Sequence, residues 1–307
     1  MVEGFLTVAQ QVLGLFILIG VGVICGKTRM LTQEAVKCCA DIVLLLATPC
    51  VIIQSFQKEY QPELLVGLGI AALAAIGSHL LGIALAHLLI RDKDDARKRV
   101  LRFGTVFSNA GYMAIPLQAA LLGQEGVFYG AVYVAVFNLV VWSYGAAMMG
   151  DGVKSLSPRK LLLSPGVIGV AIGLTLFLCR ITLPSVIAAP IGHLASLNTP
   201  VPMLIIGFYL ANADLKSALR DRGSYLSIAL RLIVIPLLML GILWLCGVRG
   251  TVLVSAVVGA SAPVATATTM FATKFGRDPA LSVNLVVLST VLSMLTMPLI
   301  IGLAMAV

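Results

Sequence analysis

The polar chemistry of this chain is concentrated in two short runs that carry prolines. The first is Ser108-Asn109-Ala110-Gly111-Tyr112-Met113-Ala114-Ile115-Pro116-Leu117, and the second is Gly259-Ala260-Ser261-Ala262-Pro263-Val264-Ala265-Thr266. Pro116 has no N–H for the Tyr112 carbonyl and Pro263 none for the Gly259 carbonyl, while Gly111 weakens the first run further. Each helix is therefore expected to break at its proline. A helix that resumes there presents free N–H groups and partial positive charge, which suits a carboxylate or a similar anion. Asn109, seven residues before Pro116, shares the proline's face if the helix is regular, and it can both donate and accept. Thr266 and Thr269 follow Pro263, Tyr112 can wall a cavity, and Ser289, Ser293 and Thr296 form one polar stripe along a helix. With Gly111 and Ser261, and without Thr296, these residues make the expected substrate site, and Asn138 and Arg231 are accessory candidates.

Other chemistries lack their residues. There is no serine, histidine and acid set, no metal-ligand spacing and no phosphate loop, so neither an enzyme nor a metal or cofactor is expected. The six cysteines (Cys25, Cys38, Cys39, Cys50, Cys179 and Cys246) show no C-x-x-C pattern and read as small apolar packing residues. His79 reads as a packing residue rather than a proton carrier. Asp41, Asp214 and Arg231 stand close enough to the ends of apolar stretches to reach an interface by snorkelling. Arg231 is the natural exception, because an anion carrier profits from a buried cation. Thr48-Pro49 and Thr199-Pro200 read as structural kinks in otherwise regular helices.

The elements that must position these residues belong in a bilayer. The chain is 60% hydrophobic and 11% charged, with a mean hydropathy of +1.05, whereas soluble domains are about 25% charged. Ten apolar stretches approach or exceed the ~20 residues that span a hydrocarbon core: 5–25, 36–56, 64–89, 100–122, 127–149, 161–181, 190–213, 225–246, 251–275 and 279–306. They leave no room for a separate soluble domain. The first lacks a basic start and a small-residue cleavage site, so it is expected to stay as a helix.

A net charge of +8 would suit nucleic acid, but its distribution argues against that partner. Seventeen of the 21 Lys and Arg residues lie in or beside the odd-numbered loops, three lie in the even-numbered loops, and Arg231 lies inside the eighth stretch. This alternation is the positive-inside pattern. It predicts cytoplasmic odd loops and both termini outside, in a bacterial inner (plasma) membrane. Ten spans with both ends on one side divide into two five-helix repeats of opposite orientation, here 1–150 and 161–307 with a cytoplasmic linker at 151–160. Thr-Pro pairs recur at an offset of 151, and the Gly-x-acid exits that follow Pro116 and Pro263 recur at 153. The expected fold class is therefore an all-α membrane protein of ten transmembrane helices in two inverted five-helix repeats, with helices 4 and 9 broken.

Asn109-x-Gly111-x-x-x-x-Pro116-Leu117, Pro263 among small neighbours, and Thr199-Pro200 followed by Gly207 together resemble the auxin efflux carrier family, in the short-loop form found in bacteria. The resemblance extends over the whole ten-helix layout. It implies a fold shared with bile acid/sodium symporter-like carriers, in which helices 4 and 9 cross at their broken centres. Helices 3–5 and 8–10 would then move as a transport domain against a scaffold of helices 1, 2, 6 and 7, in an elevator-type motion. It also implies a homodimer, carboxylate substrates such as malate or malonate, and a site at Asn109 and the backbone around Pro116 and Pro263. Plant members place an asparagine beside the helix 9 proline where this chain has Ser261-Ala262-Pro263-Val264, which argues against auxin. Sodium-coupled relatives use an acid and a glutamine there, and helix 9 has neither. The expected function is a secondary carrier of a small mono- or dicarboxylate, by uniport or proton-linked transport. The alternatives are a sodium symporter of a larger amphipathic anion such as a bile acid, and a non-transporting membrane sensor or scaffold.

Overall fold

The computed structural model describes residues 2–150, 152, 163–213 and 221–307. The expected linker 151–160, with Lys154, Arg159 and Lys160, and the segment holding Asp214, Lys216 and Arg220 lie outside the described residues, Gly152 apart.

All regular elements among the described residues are helices: α1 (Val2–Lys27), α2 (Gln33–Ser55), α3 (Pro62–Leu89), α4 (Asp95–Val106), α5 (110–122), α6 (124–149), α7 (Pro165–Leu178), α8 (Ser185–Ser196), α9 (Pro200–Ala211), α10 (222–245), α11 (Gly250–Ser261), α12 (Ala267–Lys274) and α13 (Pro279–Ala306). Seven helical stretches among them are long and apolar enough to cross a membrane, and α7 and α11 are shorter apolar helices. Large apolar side chains such as Leu73 and Leu80 on α3, or Leu295 and Leu299 on α13, stand exposed, while Ser78, His79, Ser289 and Ser293 on the same helices are buried. Polar groups turn inward and leucines outward when hydrocarbon is the solvent. The chain is an all-α membrane protein.

The prolines act differently from expectation. Pro49, Pro116 and Pro236 each stand at the second position of a helical segment that follows a five-residue π turn: Val43–Ala47, Ala110–Ala114 and Leu230–Val234. In each case the residue just before the proline donates its N–H five residues back, Thr48 to Val43, Ile115 to Ala110 and Ile235 to Leu230. The turn before each proline is thus one residue wider than an α turn, just where the proline can neither bond nor closely approach the carbonyl four residues back. Pro116 therefore does not break its helix. The break lies earlier, at 107–109, where no proline stands. Pro263 does coincide with a break, because Ala262 turns extended (φ −61°, ψ 147°) and the helix resumes only at Ala267. Of the two Thr-Pro pairs, the one in α2 lies in a helix that stays continuous through its π turn, whereas the other separates α8 from α9. Thr48 donates to Asn198 Oδ1 at 2.9 Å, tying the two places together.

Two glycine sites govern the packing that follows. Gly123 adopts φ 63° and ψ −151°, a conformation open to glycine and strained for other residues. There α5 folds back on α6, since Gln118 packs directly onto Gly130, whereas twelve residues of straight helix would separate them by ~18 Å. Gln118 Nε2 also reaches the Ser255 carbonyl on α11 at 2.9 Å. Elsewhere α1 packs along α9, and Gly22 faces Gly207 with no room for a side chain: a Cβ on Gly22 would meet the Leu204 carbonyl oxygen at 2.5 Å. The second half of α2 lies against α7 and α8, whereas α11 packs among α3, α5, α6, α10 and α13.

Candidate functional site

The two interrupted stretches meet at their breaks. After α4 the chain is extended through Phe107 (φ −101°, ψ 113°) to Asn109 (φ −76°, ψ 55°). After α11 it is extended through Ala262–Val264, and the two segments pair antiparallel at Ser108 and Val264. Asn109 N donates to the Pro263 carbonyl at 2.7 Å, and Ala265 N donates to the Phe107 carbonyl at 2.9 Å. Ser289 on α13 completes the junction by accepting from Val264 N at 3.1 Å. Backbone at this depth must find its partners inside the protein. Two broken helices thus pair with each other, and one serine serves a further amide of the break.

Besides Arg231 Nε, three polar side-chain atoms in or near this junction have no partner: Asn109 Nδ2, Ser108 Oγ and Thr268 Oγ1, all on buried residues. Each unsatisfied buried polar atom costs about 1–3 kcal/mol, and three beside one crossing mark a place built to receive polar groups. Beside them a Cβ on Gly111 would meet no atom within 4 Å. The turn Ala110–Ala114, which carries Gly111 and Tyr112, packs against α9. A narrow crevice lined by Tyr209, Thr266, Thr269, Val283 and Val286 opens between α9, α12 and α13.

Of the sequence-predicted residues, the structure gathers Asn109, Gly111, Tyr112, Ser261, Pro263 and Ser289 in or next to the crossing, and places Thr266 and Thr269 on the crevice wall. Asn109 stands in the break itself rather than on a helical face shared with Pro116, which lies beyond the π turn. Ser293 is buried but spends its hydroxyl on the Thr290 carbonyl, and Thr296 Oγ1 is buried without a partner. Asn138 is remote in role: its amide donates to Val134 in its own helix and packs on Gly166 of α7. His79 is buried, bonded through Nδ1 to the Ala75 carbonyl and surrounded by Phe107, Tyr133 and Phe137. Asp41 is exposed.

Arg231 is the exception anticipated for a buried cation, with a side chain 0% exposed. Its partners are not those of a free anion site. Nη1 donates to the Thr105 and Val106 carbonyls at 3.3 and 3.0 Å, and Nη2 donates to the Ala260 carbonyl. Sequence reasoning missed Ser108, Thr268 and Tyr209. Ser108 carries a signal in being the neighbour of Asn109, but Tyr209 lies in a distant aliphatic run and only folding brings it to the crevice.

Comparison with known proteins bears on the family of the chain. The family described as "Membrane transport protein" matches residues 7–158 and 152–301. An "Uncharacterized transporter" from Methanothermobacter thermautotrophicus is 25% identical over 300 residues, covering 96% of this chain and 98% of that protein. By that match across nearly its whole length, the chain belongs to the membrane transport protein family of auxin efflux carriers.

Proposed function

We propose that this transporter is a secondary carrier of a small organic anion, a mono- or dicarboxylate, moved by uniport or proton-linked transport. The observation that carries the reading is the crossing of the two interrupted helices, where Asn109 Nδ2 and Ser108 Oγ stand buried and unpartnered, with Thr268 Oγ1 unpartnered on the helix that follows and open space at Gly111. Asn109 Nδ2 can donate to a carboxylate oxygen, as can hydroxyls on either side, and the first turn of each resumed helix adds its N-terminal field.

The wider architecture follows the same reading. The 40-residue stretch Ala110–Met149 is ~60 Å of helix, about twice a hydrocarbon core, so its fold-back at Gly123 supports two crossings. Splitting it, and adding α7 and the broken α11–α12 stretch, supports ten spans in two inverted repeats, 1–150 and 161–307. The close packing of α1 with α9 and of α2 with α7 and α8 supports a scaffold that carries the remaining helices through an elevator-type motion. The basic loops place both termini outside a bacterial inner membrane, and the carrier works as a homodimer.

The test is uptake of labelled mono- and dicarboxylates by liposomes containing the purified protein. Asn109→Ala should lower uptake by on the order of tenfold or more, the value of one hydrogen bond to a charged group, without lowering the melting temperature. Normal uptake by that variant would overturn the site.

A further inference from the structure

Arg231 is a large, fully buried side chain, and the site just described does not use its charge. Its three bonded oxygens have one origin: they are carbonyls in the last turns of α4 and α11, the helices that end at the crossing. A helix C-terminus carries roughly half a negative charge, concentrated on carbonyls without intrahelical partners. Two such ends converging in a membrane interior amount to about one full negative charge with no water to screen it. None of the ion pairs formed by the described residues includes Arg231. The Tyr133 hydroxyl, bonded to Ser78 at 3.0 Å, lies beside the guanidinium. One turn earlier on α10, Ser227 donates to the Leu101 carbonyl of α4 at 2.9 Å and sits 2.9 Å from the Thr105 hydroxyl. The α10 face that carries the arginine is thus docked on α4.

Unwound carbonyls and half-helix C-termini are the groups that hold a mobile coupling cation in carriers built on broken helices. We infer that Arg231 is a tethered cation standing where such an ion would bind, so that the crossing is charge-balanced without sodium. The planar fork suits the task, since one guanidinium can reach two helix ends at once. The arginine travels with the helices it joins and cannot dissociate, so the carrier gains no force from a sodium gradient at this place. Both terminal nitrogens are spent on those carbonyls and Nε alone has no partner, so the guanidinium acts on the helix ends rather than on the substrate. Arg231 is a positioning residue that holds α4 and α11 at the angle their crossing requires.

This inference rests on the carrier reading, but its test needs no substrate and stands or falls by itself. The purified protein is melted at equal ionic strength in sodium, potassium and choline chloride. The wild type should melt at one temperature in all three, and a rise specific to sodium would overturn the proposal whether or not any variant folds. Arg231→Ala should melt lower in choline chloride by on the order of 10 °C. Guanidinium chloride at low millimolar concentration should restore much of that loss, whereas urea, a neutral molecule of the same shape, should not. Equal rescue by urea, or none by guanidinium, would show a space-filling role and overturn the tethered cation. Should Arg231→Ala fail to fold, Arg231→Lys and Arg231→Gln supply the comparison: the first should remain indifferent to sodium and the second should become sodium-dependent. The reverse order would sink the idea.

Discussion

Ser289 and Asn109 illustrate two opposite uses of a buried polar residue. Ser289 is fully satisfied, donating to Val286 in its own helix and accepting from Val264 N at the break. Replacing it with alanine orphans that amide, so Ser289→Ala should cost about 1–3 kcal/mol of stability, read as a lower melting temperature. Asn109 leaves its amide nitrogen unpaired, and the protein bears that cost at rest. The same substitution there should spare stability and remove uptake. Both residues were recognisable from the sequence as polar groups in apolar stretches. Which one supports the fold and which one waits for a ligand depended on their partners, and those lie across the molecule, Ser289 being 25 residues from Val264 in the chain.

Proline and glycine show how far an element can be read from its residues. Pro116 removes one intrahelical bond, and the sequence rule that it breaks the helix is sound for an unsupported segment. Here a π turn absorbs it, and the same device recurs at Pro49 and Pro236. The break falls at 107–109 instead, because those residues gain backbone partners from the second interrupted stretch. Gly207 was legible as part of a family pattern, and its physical reason is contact: the Cα of Gly22 would lie 2.6 Å from an added Cβ. Gly207→Leu should push α1 from α9 and cost about 1–3 kcal/mol or more, seen as reduced recovery of folded protein and a lower melting temperature. Gly20→Leu serves as the control, since a Cβ on Gly20 meets no atom within 4 Å.

Across the whole molecule, charge gathers at the end that carries the basic loops. Arg97 lies within 4 Å of Asp92, Asp221 and Asp278, at 3.5, 2.8 and 3.9 Å, and Asp221 and Asp278 are the N-caps of α10 and α13. One arginine therefore links the starts of three helices. Arg99 and Arg277 both donate to the carbonyls that end α6, at Met148, Met149 and Gly150, so a cation closes this helix end as Arg231 closes the two at the crossing. Nearby, hydrogen bonds from Lys98 and Arg99 hold the Asp95 carboxyl at a pKa of about 2, below its ordinary 3.8. A depressed carboxylate pKa stabilises the fold above the unfolded value and loses that effect as pH falls through the folded one. Asp95 is exposed, so its contribution is small and screened by salt. The difference in melting temperature between wild type and Asp95→Asn should be constant from neutral pH to about 5 and vanish between 3.8 and about 2. A difference that persisted below that window would assign it to packing instead.

Apolar stretches, basic loops, proline runs and the family pattern are local properties, and the chain by itself determined an all-α membrane protein with two interrupted helices and a polar centre. Hydrocarbon enforces that much, because every backbone group must pair within a helix or inside the protein. Tertiary structure decided where the first break falls, that Asn138 serves packing, and that Tyr209 walls the crevice. It also turned the charge of Arg231 toward two helix ends. Each of these outcomes depends on a partner many residues away in the chain, and hydrogen-bond geometry between such partners exists only once the helices have crossed.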